Sequence, residues 1–135
     1  MSLKKILLVE DDRAYNMLNK IFLKDNGIDC EIDEALNGKE AMKFLAVSQL
    51  PDVILLDINM PVMDGYEFLA EVEKQLPETS TIHVFMLSSS DRDEDKERSL
   101  KSKLVKGYFV KPLCDTHLKQ IIATVNGKEG KLCAA

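Results

Sequence analysis

Residues 53–57 have the sequence VILLD, four consecutive apolar residues followed by a carboxylate. Residues 5–10, KILLVE, repeat the pattern of an apolar run that ends in an acid. A short apolar run without alternation is typical of a strand buried on both faces of a parallel sheet. The two runs therefore predict two central strands that deliver Asp57 and Glu10 to the same edge of a sheet.

Weaker strand and helix patterns alternate with these two runs. Further strands are predicted around Ile28, Cys30 and Ile32, at residues 83–87 and at residues 107–110. Helices are predicted from apolar residues at helical spacing: Ala14, Leu18, Ile21 and Phe22; Ala41, Met42 and Leu45; residues 66–75; residues 92–103, with Leu100 and the following Leu104; and Leu118, Ile121, Ile122 and Val125 after a cap at Asp115. Strands that alternate with helices predict an α/β fold, a doubly wound parallel sheet with five flanking helices.

Size and charge narrow the class of protein. A chain of 135 residues fits one domain, predicted at residues 4–126, with a flexible tail at 127–135. The formal net charge of −5 argues against direct nucleic-acid binding. The longest apolar runs are far shorter than the roughly 20 residues that span a bilayer, so no membrane partner is expected.

The start of the chain and the cysteines indicate the compartment. Acidic residues 10–12 follow the first apolar run, where a secretory cleavage site would need small residues, so we predict a cytoplasmic protein. The three cysteines, Cys30, Cys114 and Cys133, are odd in number and lack CxxC spacing. They predict neither a disulfide framework nor a zinc site.

Polar residues follow the predicted strands at the edge where their carboxyl ends meet. Glu10 and Asp11 follow the first strand, Asp57 the third, Ser88 the fourth and Lys111 the fifth. Crowded carboxylates need a cation, and an oxygen-only ligand set favours Mg²⁺. With a lysine and a hydroxyl beside them, these groups suit phosphoryl transfer in which one carboxylate attacks.

The chain resembles the receiver domains of two-component response regulators, and especially the single-domain chemotaxis type. The resemblance covers about residues 4–126 and rests on four motifs in order: VEDD at 9–12, LDINMPVMDG at 56–65, MLSS at 86–89 and GYFVKP at 107–112. It implies the flavodoxin-like strand order 2-1-3-4-5. It also implies a phosphoprotein of a phosphorelay and not a conventional enzyme.

The resemblance assigns a role to each matching residue. It makes Asp57 the acceptor of a phosphoryl group from the phosphohistidine of a histidine kinase or phosphotransfer protein. The Mg²⁺ site would consist of Asp11 as a direct ligand, Asp57, the backbone carbonyl of Asn59, and Glu10 acting through metal-bound water. The remaining roles it implies are Lys111 as the cation of the site, Ser88 as the switching hydroxyl, Tyr108 as the switching aromatic and Pro112 as a residue after a cis peptide bond. A downstream protein would bind the face of helix 4, strand 5 and helix 5.

Two other functions compete with this one. A phosphatase of the haloacid dehalogenase kind also uses a strand-end aspartate with Mg²⁺, but it needs a second aspartate two residues later, where this chain has Asn59. A receiver-like interaction module that is never phosphorylated would typically lack one of the acidic ligands, the acceptor or the lysine. Glu10, Asp11, Asp57 and Lys111 are all present.

Overall fold

A computed structural model describes residues 3–47, 49–76 and 81–127. In these residues five strands alternate with five helices. The strands are β1 (Lys5–Val9), β2 (Glu31–Ala35), β3 (Val53–Leu56), β4 (His83–Ser88) and β5 (Val105–Val110). The helices are α1 (Arg13–Asp25), α2 (Gly38–Val47), α3 (Gly65–Gln75), α4 (Asp93–Leu100) and α5 (Asp115–Val125).

The five strands form one parallel sheet in the order β2-β1-β3-β4-β5. This confirms the predicted doubly wound α/β fold and its strand order. The carboxyl ends of all five strands lie at the same edge, and the order reverses between β1 and β3. Ligands of such sheets bind at that reversal, in the crevice beyond the strand ends.

The core consists of two layers, one on each face of the sheet. Side chains alternate between the faces along β1, so Leu7 and Val9 pack with Phe68 of α3, while Ile6 and Leu8 pack with Ile121 of α5. Helices α2 and α3 cover the first face, and α1 and α5 cover the second. Burial on both faces is why the central strands have continuous apolar runs.

Several predicted boundaries are wrong, for local reasons. β2 begins at Glu31 and not at Ile28, because residues 26–28 close the end of α1. Gly27 has a φ of +87°, and the Ile28 N–H donates to the Leu23 carbonyl at 3.0 Å. Ile28 therefore packs under the helix end as a buried residue, as in the usual left-handed helix terminus.

The observed boundaries of four other elements also differ from the predicted ones. β1 and β3 stop one residue early, at Val9 and Leu56, so both terminal acids lie in loops. β5 begins two residues early, at Val105. The predicted cap at Asp115 is wrong: Cys114 holds the cap position and Asp115 is the first helical residue, where its charge suits the helix dipole.

The buried face of α1 differs from its apolar face. Ala14, Leu18 and Ile21 are exposed, and the buried residues of the helix are Asn16, Asn19 and Leu23. The helical spacing of the apolar residues therefore predicts the helix correctly but does not identify the side that faces the sheet.

Helix α4 is shorter than the predicted 92–103 and is hardly anchored by apolar residues. Leu100, expected to anchor it, is 52% exposed, and the buried residue of the helix is Ser99. The tail predicted at 127–135 lies, after Gly127, outside the described residues. None of the helices in the described residues is long and apolar enough to cross a bilayer.

Candidate functional site

Three carboxyl groups meet beyond the carboxyl ends of β1 and β3. Val9 pairs in register with Leu56, and the Asp57 N–H donates to the Val9 carbonyl at 3.0 Å, so the residues that follow the two strands are neighbours. One carboxylate oxygen each from Glu10, Asp11 and Asp57 lies within 4.8 Å of the others. Asp11 is exposed, whereas Glu10 is 6% and Asp57 7% exposed.

Lys111 brings a positive charge to this acidic cluster from the end of β5. Its Nζ donates to Glu10 Oε1 at 2.6 Å and lies 3.8 Å from Asp57 Oδ2. The ammonium also lies 4.3 Å from the centre of the Tyr15 ring, a cation–π contact. The Lys111–Pro112 peptide bond is cis.

Burial dominates the electrostatics of the carboxyl pair. Desolvation, reinforced by the charge of Asp57, raises the pKa of Glu10 to about 7, although the hydrogen bond from Lys111 opposes the rise. Desolvation also raises the pKa of Asp57, against the charge of Lys111. Burial alone would lower the pKa of Lys111, but the hydrogen bond to Glu10 and the charge of Asp57 outweigh it and raise that pKa. One cation is therefore too little to keep both buried acids ionised at low cost.

The two oxygens of Asp57 have different surroundings. Oδ1 accepts a hydrogen bond from the Ile58 N–H at 2.9 Å, whereas Oδ2 is the oxygen nearest to Lys111. The Ile58 carbonyl in turn accepts from the Gly65 N–H at 2.8 Å, which ties the loop after β3 to the start of α3. Asn59, whose carbonyl is a predicted ligand, is an exposed residue of this loop.

The two predicted switch residues meet at Ser90. Ser88 is fully buried at the end of β4, and its Oγ accepts the Ser90 N–H at 3.1 Å. The hydroxyl of half-buried Tyr108 donates to the Ser90 carbonyl at 2.8 Å. The structure therefore brings Glu10, Asp11, Asp57 and Lys111 into one cluster and joins Ser88 to Tyr108 through Ser90.

Sequence reasoning missed a second polar network that begins at the same serine. Ser90 Oγ donates to Asp95 Oδ2 at 2.6 Å, and the Tyr66 hydroxyl donates to Asp95 Oδ1 at 2.8 Å. The Arg98 guanidinium lies 3.8 Å from the centre of the Tyr66 ring. Burial and then Asp95 raise the pKa of Tyr66 to about 12, so its hydroxyl stays protonated and keeps donating. These contacts supply the anchor that α4 lacks among its apolar residues.

Tyr66→Phe is therefore expected to loosen α4 selectively. The variant keeps the ring under Arg98 and loses only the hydroxyl that donates to Asp95, a hydrogen bond worth about 1–2 kcal/mol. We expect the amide hydrogens in the second half of α4 to exchange with solvent about five- to thirtyfold faster, measured by hydrogen exchange and mass spectrometry. Tyr108→Phe is the matched control, since it removes a tyrosine hydroxyl that bonds to the loop and not to α4. Two results would contradict this role of Tyr66: equally faster exchange of the α4 amides in both variants, or equally faster exchange in α5 of the Tyr66→Phe variant.

Known proteins share this fold and this arrangement of motifs. Residues 6–123 match the sequence family described as the response regulator receiver domain. The chain belongs to this family. This receiver domain is 38% identical over 132 residues to the response regulator Rcp1 of Synechocystis sp., covering 93% of this chain and 86% of Rcp1.

Solved structures agree with the sequence relatives. A two-component response regulator from Cytophaga hutchinsonii superposes with a TM-score of 0.85 at 27% identity, covering 93% of this chain and 98% of its own. The phosphorylated cyanobacterial phytochrome response regulator RcpA superposes with a TM-score of 0.72 at 35% identity, covering 95% of this chain and 92% of the RcpA chain.

Membership of the family gives this receiver domain its general function. It is homologous to response regulators and has the phosphoacceptor role of two-component signalling. Receiver domains are phosphoacceptors and not classical enzymes, they generally bind Mg²⁺ at an acidic pocket, and they interact with histidine kinases and downstream effectors. In this chain Glu10, Asp11 and Asp57 form an acidic cluster.

Proposed function

We propose that Asp57 accepts a phosphoryl group from the phosphohistidine of a histidine kinase or phosphotransfer protein. The observation that carries the proposal is the placement of Asp57 Oδ2, 3.8 Å from Lys111 Nζ and beside Glu10 and Asp11. The attacking oxygen forms a bond to phosphorus while the phosphorus–nitrogen bond breaks, and the electron pair stays on the histidine nitrogen. Lys111 is placed to pair with a phosphoryl oxygen as charge builds on it.

The residues present fit a magnesium ion. Their donor set is oxygen only, and the two buried carboxyl groups have more negative charge between them than Lys111 offsets. We propose that Asp11, Asp57 and the Asn59 carbonyl bind the ion directly and that Glu10 acts through its hydration shell. When bound, the ion would neutralise charge on the transferring phosphoryl group.

The switch residues connect this site to a proposed output face. In the unphosphorylated chain the Ser88 hydroxyl accepts the Ser90 N–H, and Tyr108 is bonded to the Ser90 carbonyl. A phosphoryl group on Asp57 offers the hydroxyl a charged acceptor, which favours a conformation in which Ser90, and with it Tyr108, shifts. We propose that a downstream protein detects this shift at the face of α4, β5 and α5. We also propose that this happens in the cytoplasm, where histidine kinases use ATP.

The test is intact-mass spectrometry of the native chain after incubation with acetyl phosphate, with and without Mg²⁺. We expect one phosphoryl adduct per chain that requires Mg²⁺, is released by hydroxylamine and maps to Asp57 after borohydride trapping and proteolysis. Steady turnover of an unrelated phosphate ester would favour the phosphatase alternative. A folded, Mg²⁺-binding chain without any adduct would favour the interaction module.

The pKa of Glu10 predicts how Mg²⁺ binding depends on pH. Its folded value of about 7 lies above its ordinary value near 4.5, so the folded chain holds an extra proton between these values. This has two consequences: the metal-free chain loses stability as the pH rises through this window, and Mg²⁺ must displace the proton below pH 7. We expect the Mg²⁺ affinity measured by calorimetry to fall about fivefold or more from pH 7 to pH 6. Glu10→Gln should make the Mg²⁺ affinity less dependent on pH. Equal Mg²⁺ affinity of the native chain at pH 6 and pH 7 would refute the prediction.

A further inference from the structure

Two asparagines occupy the side of α1 that faces the acidic cluster. Asn16 is 0% exposed and Asn19 is 6% exposed, one turn apart on the same face of the helix. Buried polar side chains are stable only when their hydrogen bonds are satisfied. Each of these two amides therefore requires hydrogen-bond partners inside the fold.

Only one end of the Asn16 amide has a partner among the described residues. Its Nδ2 donates to the Glu10 carbonyl at 3.0 Å, whereas its Oδ1 is buried and accepts no hydrogen bond from the part of the chain that the structure describes. Turning the amide over would place its oxygen against the Glu10 carbonyl oxygen, so the orientation is set. The orphaned acceptor points to a donor outside the described residues.

Asn16 also lines a cavity of about 10 Å³. Asn16, Asn19, Glu10 and Asp57 supply its polar lining, and strand residues such as Leu8 and Leu55 form its apolar lining. A cavity of this volume holds about one water molecule, provided that two to four polar groups surround it. Volume and lining both meet these conditions.

We propose that this cavity binds one buried water molecule that connects α1 to the carboxyl pair of the phosphorylation site. The water donates one hydrogen bond to Asn16 Oδ1 and the other to a carboxylate oxygen of Asp57 or Glu10. Its oxygen accepts from the Asn19 amide. Three hydrogen bonds are the usual number for a structural water.

The water has a consequence for metal binding. A donor on the inner side of the carboxyl pair stabilises the negative charge that Mg²⁺ needs, from the side opposite to the solvent. Asn16 and Asn19 would then be positioning residues that act on Asp57 and Glu10 through the water. This consequence rests on the magnesium site proposed above, but the water site itself does not.

The water is tested directly in the metal-free, unphosphorylated chain by nuclear Overhauser effects between water and methyl protons. We expect nuclear Overhauser effects from water to the methyls of Leu8 and Leu55, which line the cavity. Their sign should be the one that indicates a water molecule with a long residence time. Methyls of Ile54 and Val84, buried in the layer on the other face of the sheet, serve as the control. Absence of the effect from the Leu8 and Leu55 methyls of the folded chain would overturn the proposal, whatever the outcome at Asp57.

Variants of α1 separate the water from the helix. Asn16→Leu removes the acceptor and should abolish the effect at Leu8 and Leu55, whereas Asn16→Ser leaves a polar atom and room for the water and should retain it. Asn26→Leu is the matched control, because it makes the same chemical change at the end of the same helix. Like Asn16, Asn26 donates from Nδ2 to a backbone carbonyl, here that of Phe22 at 2.8 Å, and the variant loses this hydrogen bond. If Asn16→Leu fails to fold, Asn19→Leu tests the third hydrogen bond of the water.

Calorimetry of Mg²⁺ binding tests the positioning role. We expect Asn16→Leu to weaken Mg²⁺ binding about tenfold, and Asn16→Ser and Asn26→Leu to change it less than about twofold. Loss of the water with unchanged Mg²⁺ affinity would overturn the positioning role. Equal weakening in Asn26→Leu would assign the effect to the stability of α1 and overturn it as well.

Discussion

Asp57→Asn is expected to abolish the phosphoryl adduct while making the metal-free protein more stable. The amide has no free carboxylate oxygen to attack phosphorus, so we expect fewer than ~0.01 phosphoryl groups per chain with acetyl phosphate and Mg²⁺. Intact-mass spectrometry measures this. Asp12→Asn is the control, because it makes the same change one residue beyond the cluster. Asp12 caps α1, and asparagine caps a helix nearly as well. We therefore expect this variant to be phosphorylated like the native chain.

The gain in stability follows from the raised pKa of Asp57. Because its folded pKa lies above the unfolded value, ionisation of this buried group destabilises the fold at neutral pH, and a neutral side chain of the same shape removes that cost. We expect the free energy of unfolding without Mg²⁺ to rise by about 1–2 kcal/mol at pH 7.5, measured with urea. With saturating Mg²⁺ the order should reverse, because the native chain gains more from the ion. Equal stabilisation by Mg²⁺ in both proteins would remove Asp57 from the ligand set.

Gly65→Ala is expected to destabilise the fold strongly, although it adds only a single methyl group. A Cβ at Gly65 would lie 2.3 Å from the Asp57 carbonyl oxygen and 3.0 Å from the Ile58 Cα, both rigid backbone atoms. The start of α3 would have to move away from the loop that carries Asp57. We expect a loss of about 3 kcal/mol or more and a fall in Tm of roughly 10 °C.

Gly27→Ala provides the comparison for this prediction. A Cβ there meets nothing within 4 Å, and its cost comes only from the positive φ of +87°, about 1 kcal/mol. Thermal unfolding followed by circular dichroism distinguishes the two variants. If Gly65→Ala costs no more than Gly27→Ala, the loop after β3 is free to shift, and its close packing does not position Asp57.

The sequence predicts the acidic cluster because the cluster depends on topology alone. In a parallel sheet the residues after each buried run meet at one edge, so the apolar runs before Glu10 and Asp57 already bring these two residues together. The role of Asp57 as phosphoacceptor and the set of Mg²⁺ ligands stay predictions. What the structure adds is the short distance from Lys111 to Glu10 and the burial that sets the charges.

Other features were beyond the reach of sequence patterns. On α1 the apolar residues show a helix, but Asn16 and Asn19 face the sheet because a polar cavity and the Glu10 carbonyl lie there. Periodicity assumes that buried residues are apolar, so it fails where a helix packs beside a polar site. The contact between the Tyr66 and Asp95 side chains joins residues 29 positions apart, so no local sequence pattern predicts it.

The chain has three tyrosines and no tryptophan. Tyr15 lies against the ammonium of Lys111, Tyr66 donates to Asp95, and Tyr108 donates to Ser90, so every tyrosine ring stands beside the acidic cluster or the network that leaves it. Ultraviolet emission from this protein therefore originates in the region that changes charge. We therefore expect the tyrosine fluorescence to change on ion binding and on phosphorylation, so that a fluorimeter could follow both without an attached dye or an engineered chromophore.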